Sequence, residues 1–145
     1  MTEAYREMAH KQHVKEIKID PNLDVQLLSE KGRDLRGLDS SAGENQIFAL
    51  ALIAAIANVV NFSVPVIMDT PLARLDVEHR NNVLDYFTAR AGEQIILLSQ
   101  PNEVHGPYLE KIRTRLCAKF LIEHEELGDG MGLNHVRPNS YFGEA

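Results

Sequence analysis

A single cysteine, Cys117, leaves no partner within the chain for a disulfide, so the fold must rest on a packed core and not on covalent staples. Its position in the apolar run LCAKFLI predicts a small buried residue. Positive charge is also scarce: 15 Lys and Arg against 21 Asp and Glu leave a net charge of −6. A dedicated nucleic-acid-binding module needs a basic excess on one face to neutralise phosphates. The densest basic stretch, Lys111, Arg113, Arg115 and Lys119, fits a solvated face instead. No apolar run approaches the roughly 18 residues that span a bilayer, and the opening MTEAYREMAHKQH lacks the apolar stretch of a secretory leader. The sequence therefore predicts a cytoplasmic protein with no membrane partner. Long internal repeats and low-complexity tracts are missing. His10 and His13 have no carboxylate or cysteine set at metal-ligand spacing beside them, which argues against a zinc site.

What is present suits one globular domain: 145 residues, 44% hydrophobic and 25% charged. Residues Thr2 to Gln12 are polar and helix-compatible, a helical linker. VKEIKI breaks helical spacing and reads as a strand, and Asp20, Pro21 and Asn22 turn the chain into a second strand alternating at Leu23, Val25 and Leu27. From Gln46 to Val60 the chain is apolar nearly all round and rich in Ala and Leu, which predicts a deeply buried helix. Val64 to Met68 and Gln94 to Leu98 are short β-branched runs of the kind buried on both faces of a parallel sheet. Each is followed by a helix-compatible segment, Val77 to Arg90 and Asn102 to Arg113, and Leu116 to Glu123 reads as a further strand. The alternation predicts an α/β fold, mainly a parallel sheet covered by helices, with β-hairpins at the ends. Gly128, Gly130 and Gly132 are not a dinucleotide fingerprint, because no helix opens after them; residues 125–145 read as a glycine-rich hairpin and tail.

Two stretches carry chemistry. Ser40, Ser41, Ala42, Gly43 and Glu44 stand immediately before the apolar helix, where unpaired N–H groups and the positive helix end make an anion site. The same S-x-x-E pattern is also an ordinary capping box. Asp69, at the C-terminal end of a buried parallel strand, occupies the edge where ligands bind in open α/β sheets and is suited to Mg²⁺.

SSAGENQ, then VIMDTPLARLD, then IILLSQ resemble, in order and spacing, the signature, Walker B with D-loop, and H-loop of ABC ATPases. The combination of S-A-G-E with D-T-P-L-x-R-L-D is most similar to the DndD family, SMC-like ATPases of bacterial DNA phosphorothioation. The resemblance spans residues 14–124 and implies the C-terminal lobe of a P-loop ATPase head. It implies that Ser41, Ala42, Gly43 and Glu44 contact the γ-phosphate of ATP held by a second head, with Gln46 just beyond the signature. Asp69 then matches the Walker B carboxylate on Mg²⁺, and Arg74, Leu75 and Asp76 match the D-loop at the interface between heads. Thr70 stands where a glutamate usually orients the attacking water, and a hydroxyl cannot take a proton as a carboxylate does. Gln100 stands at the H-loop histidine, with His105 too far along to replace it, and Ser40 stands where a leucine often opens the signature.

No Gly-Lys pair exists for a phosphate-cradling Walker A loop. The resemblance places that loop in an N-terminal lobe beyond a long coiled coil, whose returning helix would end in Thr2 to His13. The expected partners are thus that lobe, a second head, other DNA-modification proteins and, through the complete complex, DNA. RecF- and SbcC-like repair ATPases share the fold, and a non-enzymatic dimerisation or partner-binding module is the alternative from another class.

Overall fold

The computed structural model describes residues 1–9, 13–35, 41–59, 65–89 and 94–142. It is a mixed α/β chain that divides into two compact units, Met1–Val104 and His105–Ala145. Ser40, His10 and the expected element ends at Val60, Val64 and Arg90 lie outside the described residues.

In the first unit, helix α1 (Thr2–Ala9) leads into strands β1 (Val14–Ile19) and β2 (Val25–Ser29), which pair antiparallel. The hairpin turns on Asp20, whose Oδ1 accepts from the N–H groups of Asn22 at 2.9 Å and Asp24 at 2.8 Å. This local competition with the ladder holds β2 back to Val25. Although its sequence is mostly polar, α1 buries Ala4, Tyr5, Met8 and Ala9 on one stripe. It packs against the next two helices, α2 (Ala42–Val59) and α3 (Val77–Thr88), with Tyr5 edge-on to Phe48. Thr2 Oγ1 also accepts from the Ile17 N–H at 3.0 Å.

Helix α2 starts four residues before the apolar run, because the capping residues themselves take up its first turn. It is 18 residues long and, by length and composition alone, apolar enough to cross a membrane. It is also less buried than expected: Ile47, Leu50, Ala51 and Ala54 are enclosed, whereas Ile53, Ile56 and Val59 are exposed.

Strands β3 (Val66–Asp69) and β4 (Ile95–Leu98) pair parallel, Val66 opposite Ile95 through Asp69 opposite Leu98. Among the described residues this is the one parallel pair, and the remaining named strands form antiparallel hairpins. Val66 and Met68 are buried, but on the opposite face Ile67 is 61% exposed and its neighbours Ile96 and Leu98 are 37% and 47% exposed. Both faces of the pair were expected to be covered, and within this unit one is open.

In the second unit, helix α4 (Pro107–Ile112) is shorter than the expected Asn102–Arg113, since Gly106 at φ 52° and Pro107 open it late. After a 3-10 turn at Arg113–Arg115, strands β5 (Phe120–Gly128) and β6 (Met131–Pro138) form a hairpin. Gly128, Asp129 and Gly130 turn it with positive φ, so strand follows strand where a dinucleotide site would need a helix. Glu123 and Glu125 on β5 pair with Arg137 and His135 on β6 along one face. Cys117, expected in the core, is exposed because it precedes β5 in irregular chain.

Candidate functional site

Four segments of the first unit meet at the C-terminal ends of β3 and β4. The start of α2 is fixed by a capping box: Ser41 Oγ accepts from the Glu44 N–H at 3.2 Å, and Glu44 Oε2 accepts from the Ser41 N–H at 2.9 Å. Accepting that bond does not use the Ser41 O–H proton, since a hydroxyl can accept and donate at once. Ser41 and Ala42 are exposed, and Gly43 and Glu44 half-buried. The cap and the anion site are therefore not exclusive uses of Ser41.

Asp69 ends β3 and is exposed. Thr70 follows with φ 46°, a left-handed conformation that costs a β-branched residue on the order of 1–3 kcal/mol and persists only where its surroundings impose it. Here they do. Its N–H donates to Leu98 O at 2.7 Å, continuing the β3–β4 register, and Gln46 Nε2 donates to both Thr70 O at 3.1 Å and Pro71 O at 2.7 Å. Gln46 thus fastens the first turns of α2 to the loop after Asp69, 24 and 25 residues away in sequence. The Gln46 Oε1 is buried without a hydrogen-bond partner among the described residues.

Gly43 makes the second contact between the same segments. A Cβ there would lie 3.0 Å from Arg74 O and 3.6 Å from Leu75 Cδ2, so a larger residue would need the loop to give by a few tenths of an ångström. Arg74 itself is exposed.

The loop ends at Asp76, which caps α3. Its Oδ1 accepts from the His79 N–H at 2.9 Å, and its Oδ2 lies 2.8 Å from His79 Nδ1. The backbone hydrogen bond from His79, then the side-chain one, hold the carboxyl below the usual aspartate range. The far side of the same ring, Nε2, lies 3.1 Å from Ala9 O, tying α1 to the end of this loop.

Gln100, two residues past β4, is exposed at the neighbouring strand end, and Ser99 is half-buried. His105 belongs to the second unit. The turn around Gln100 is joined to the loop after Asp69 by two residues that the sequence did not single out, Glu103 and Arg80. Neither lies in a pattern of strand or helix periodicity that marks a site; burial of Glu103 is a tertiary fact.

The arrangement therefore links the start of α2 to the loop after Asp69 through Gln46 and Gly43, and that loop to the Gln100 turn through Glu103. Asp69 and Asp76 are exposed carboxylates near the exposed helix start; His79 pairs with Asp76, and Arg80 donates to the backbone carbonyls of Leu75 and Asn102. Among the described residues no group of three or more His, Cys, Asp and Glu is placed to hold a metal ion. No protein-family model matches this chain, and no curated protein matches it.

Proposed function

We propose that this chain is the C-terminal lobe of an ABC/SMC-type ATPase head that works in an ATP-dependent DNA transaction, DNA phosphorothioate modification above all. The observation that carries the reading is the joining of the signature-like helix start to the segment Asp69–Asp76 by Gln46 and Gly43. Consecutive elements of an α/β unit commonly pack together, so what favours the reading is the specific fastening of the S-A-G-E start by Gln46 and the close approach at Gly43.

In this reading Ser41, Ala42, Gly43 and Glu44 meet the γ-phosphate bound by a second head. Asp69 holds Mg²⁺ beside it, and Gln100 offers a neutral amide to the same phosphate. With Thr70 beside Asp69, the water must be oriented by a group other than the usual glutamate, and slow turnover follows. The uncovered face of Ile67, Ile96 and Leu98 supports a missing layer, since parallel strands are stable where both faces are covered. A Walker A lobe that adds strands and helices there would supply both the cover and the phosphate cradle.

The test has two parts. The isolated chain should not bind Mg-ATP tightly in a calorimetric titration, because it lacks the lysine and glycine cradle that makes most phosphate contacts. In an assembly that includes the Walker A lobe, Ser41→Arg should abolish ATP-dependent dimerisation and hydrolysis while nucleotide affinity stays near wild type. A low-micromolar dissociation constant for the isolated chain, or an arginine variant that still dimerises with ATP, would overturn the proposal.

A further inference from the structure

Glu103 is a carboxylate only 3% exposed, outside every motif that suggested a function. Its Oε1 accepts from the Leu72 N–H at 2.9 Å, 31 residues away, and its Oε2 accepts from the Gln100 N–H at 2.8 Å. The Glu103 N–H returns to Gln100 O at 3.0 Å. Arg80 bridges the same two segments with opposite polarity: Nε donates to Leu75 O at 2.9 Å and Nη1 to Asn102 O at 3.1 Å. One side chain takes N–H groups from both segments and the other gives N–H groups to carbonyls of both. Charged hydrogen bonds are the strong ones, and a planar guanidinium has the geometry to hold two acceptors at once.

We infer that Glu103, assisted by Arg80, is a positioning residue that makes the 70–76 loop and the Gln100 turn one moving body, so that a displacement at Gln100 is delivered to Asp76. The roles of the two ends rest on the function proposed above, in which Gln100 senses the γ-phosphate and residues 74–76 face the second head. Under that reading Glu103 links nucleotide sensing to head contact without touching nucleotide. A simple packing role would require no connection between two exposed ends.

The isotope-labelled chain tests this by NMR, comparing Gln100→Ala in the wild-type and Glu103→Gln backgrounds. A glutamine offers one acceptor oxygen where the carboxylate offers two, so it leaves one N–H facing an NH₂ group. In the wild-type background, Gln100→Ala should shift the amide resonances of Leu72 to Asp76. In the Glu103→Gln background that response should vanish. Exchange at the Leu72 and Gln100 amides should then accelerate roughly tenfold or more while Met68 in β3 is unaffected. Equal responses in both backgrounds, or none in either, would overturn the inference. If Glu103→Gln does not fold, Glu103→Asp carries the same comparison, because its shorter stem keeps the charge but cannot reach both segments. No nucleotide is needed, so a failure of ATP-dependent dimerisation leaves the inference intact, and unlinked amides remove it even where the assembly hydrolyses ATP.

Discussion

Replacing Gly43 by alanine sets two opposed effects against each other, and the structure decides between them. Gly43 lies in the first turn of α2 and its φ is outside the left-handed region, so alanine meets no backbone penalty. Helix propensity alone would then favour the variant by up to about 1 kcal/mol. The added Cβ, however, would sit 3.0 Å from Arg74 O and 3.6 Å from Leu75 Cδ2. The carbonyl cannot yield freely, because its loop is held at Leu72 by Glu103, at Leu75 by Arg80 and at Thr70 and Pro71 by Gln46. Overpacking against a fixed neighbour costs about 1–3 kcal/mol, which leaves a net destabilisation of roughly 1 kcal/mol. For a chain of this length the thermal midpoint should fall by about 4 °C. Differential scanning calorimetry, supported by urea unfolding, measures both quantities. Glu103→Gln, which loosens the loop, should reduce the penalty of Gly43→Ala in a double variant, since the two positions share one body. A variant stabilised by the propensity value, or strict additivity with Glu103→Gln, would refute the close, rigid approach of the α2 start to the loop.

Three further outcomes are expected. Ser41→Ala removes the side-chain half of the capping box and should cost on the order of 1 kcal/mol in urea unfolding, independent of ATP; an unchanged midpoint would remove the cap. Asp76 has a depressed folded-state pKa, so its contribution to stability is complete above the unfolded aspartate value of about 3.9 and is lost as pH falls through the lower folded value. Asp76→Asn should therefore flatten the acid limb of stability below about pH 4 by a small amount, because the side chain is 65% exposed and screened, and an identical acid limb in both proteins would count against the His79 pairing. In an assembly with the Walker A lobe, Asp69→Asn should weaken Mg²⁺-dependent turnover without unfolding the chain, since an amide is the poorer hard-cation ligand; unchanged turnover would show that Asp69 is not on the metal.

Where local chemistry decides, the sequence was sufficient. S-x-x-E before an apolar run specified the capping box at Ser41 and Glu44, and β-branched runs between turn formers specified β3 and β4 in parallel register. Asp76, read from the sequence only as part of the D-loop match, caps α3 in the structure. Burial was less legible, because a continuous apolar run states that a segment can be covered but not what covers it. The runs at β3, β4 and α2 were read as enclosed on all sides, yet Ile67 and Ile56 are open, and mostly polar α1 buries Tyr5 and Met8 between two helices. Cys117 was misplaced for the same reason. The bonds that assemble the candidate site were decided by tertiary structure alone: Gln46 to Thr70 and Pro71, Gly43 against Arg74, and Glu103 and Arg80 between the loop and the Gln100 turn. Their partners are backbone N–H and C=O groups, which every residue carries, so no side-chain pattern records them. Only the path of the folded chain determines which of those groups lies within reach.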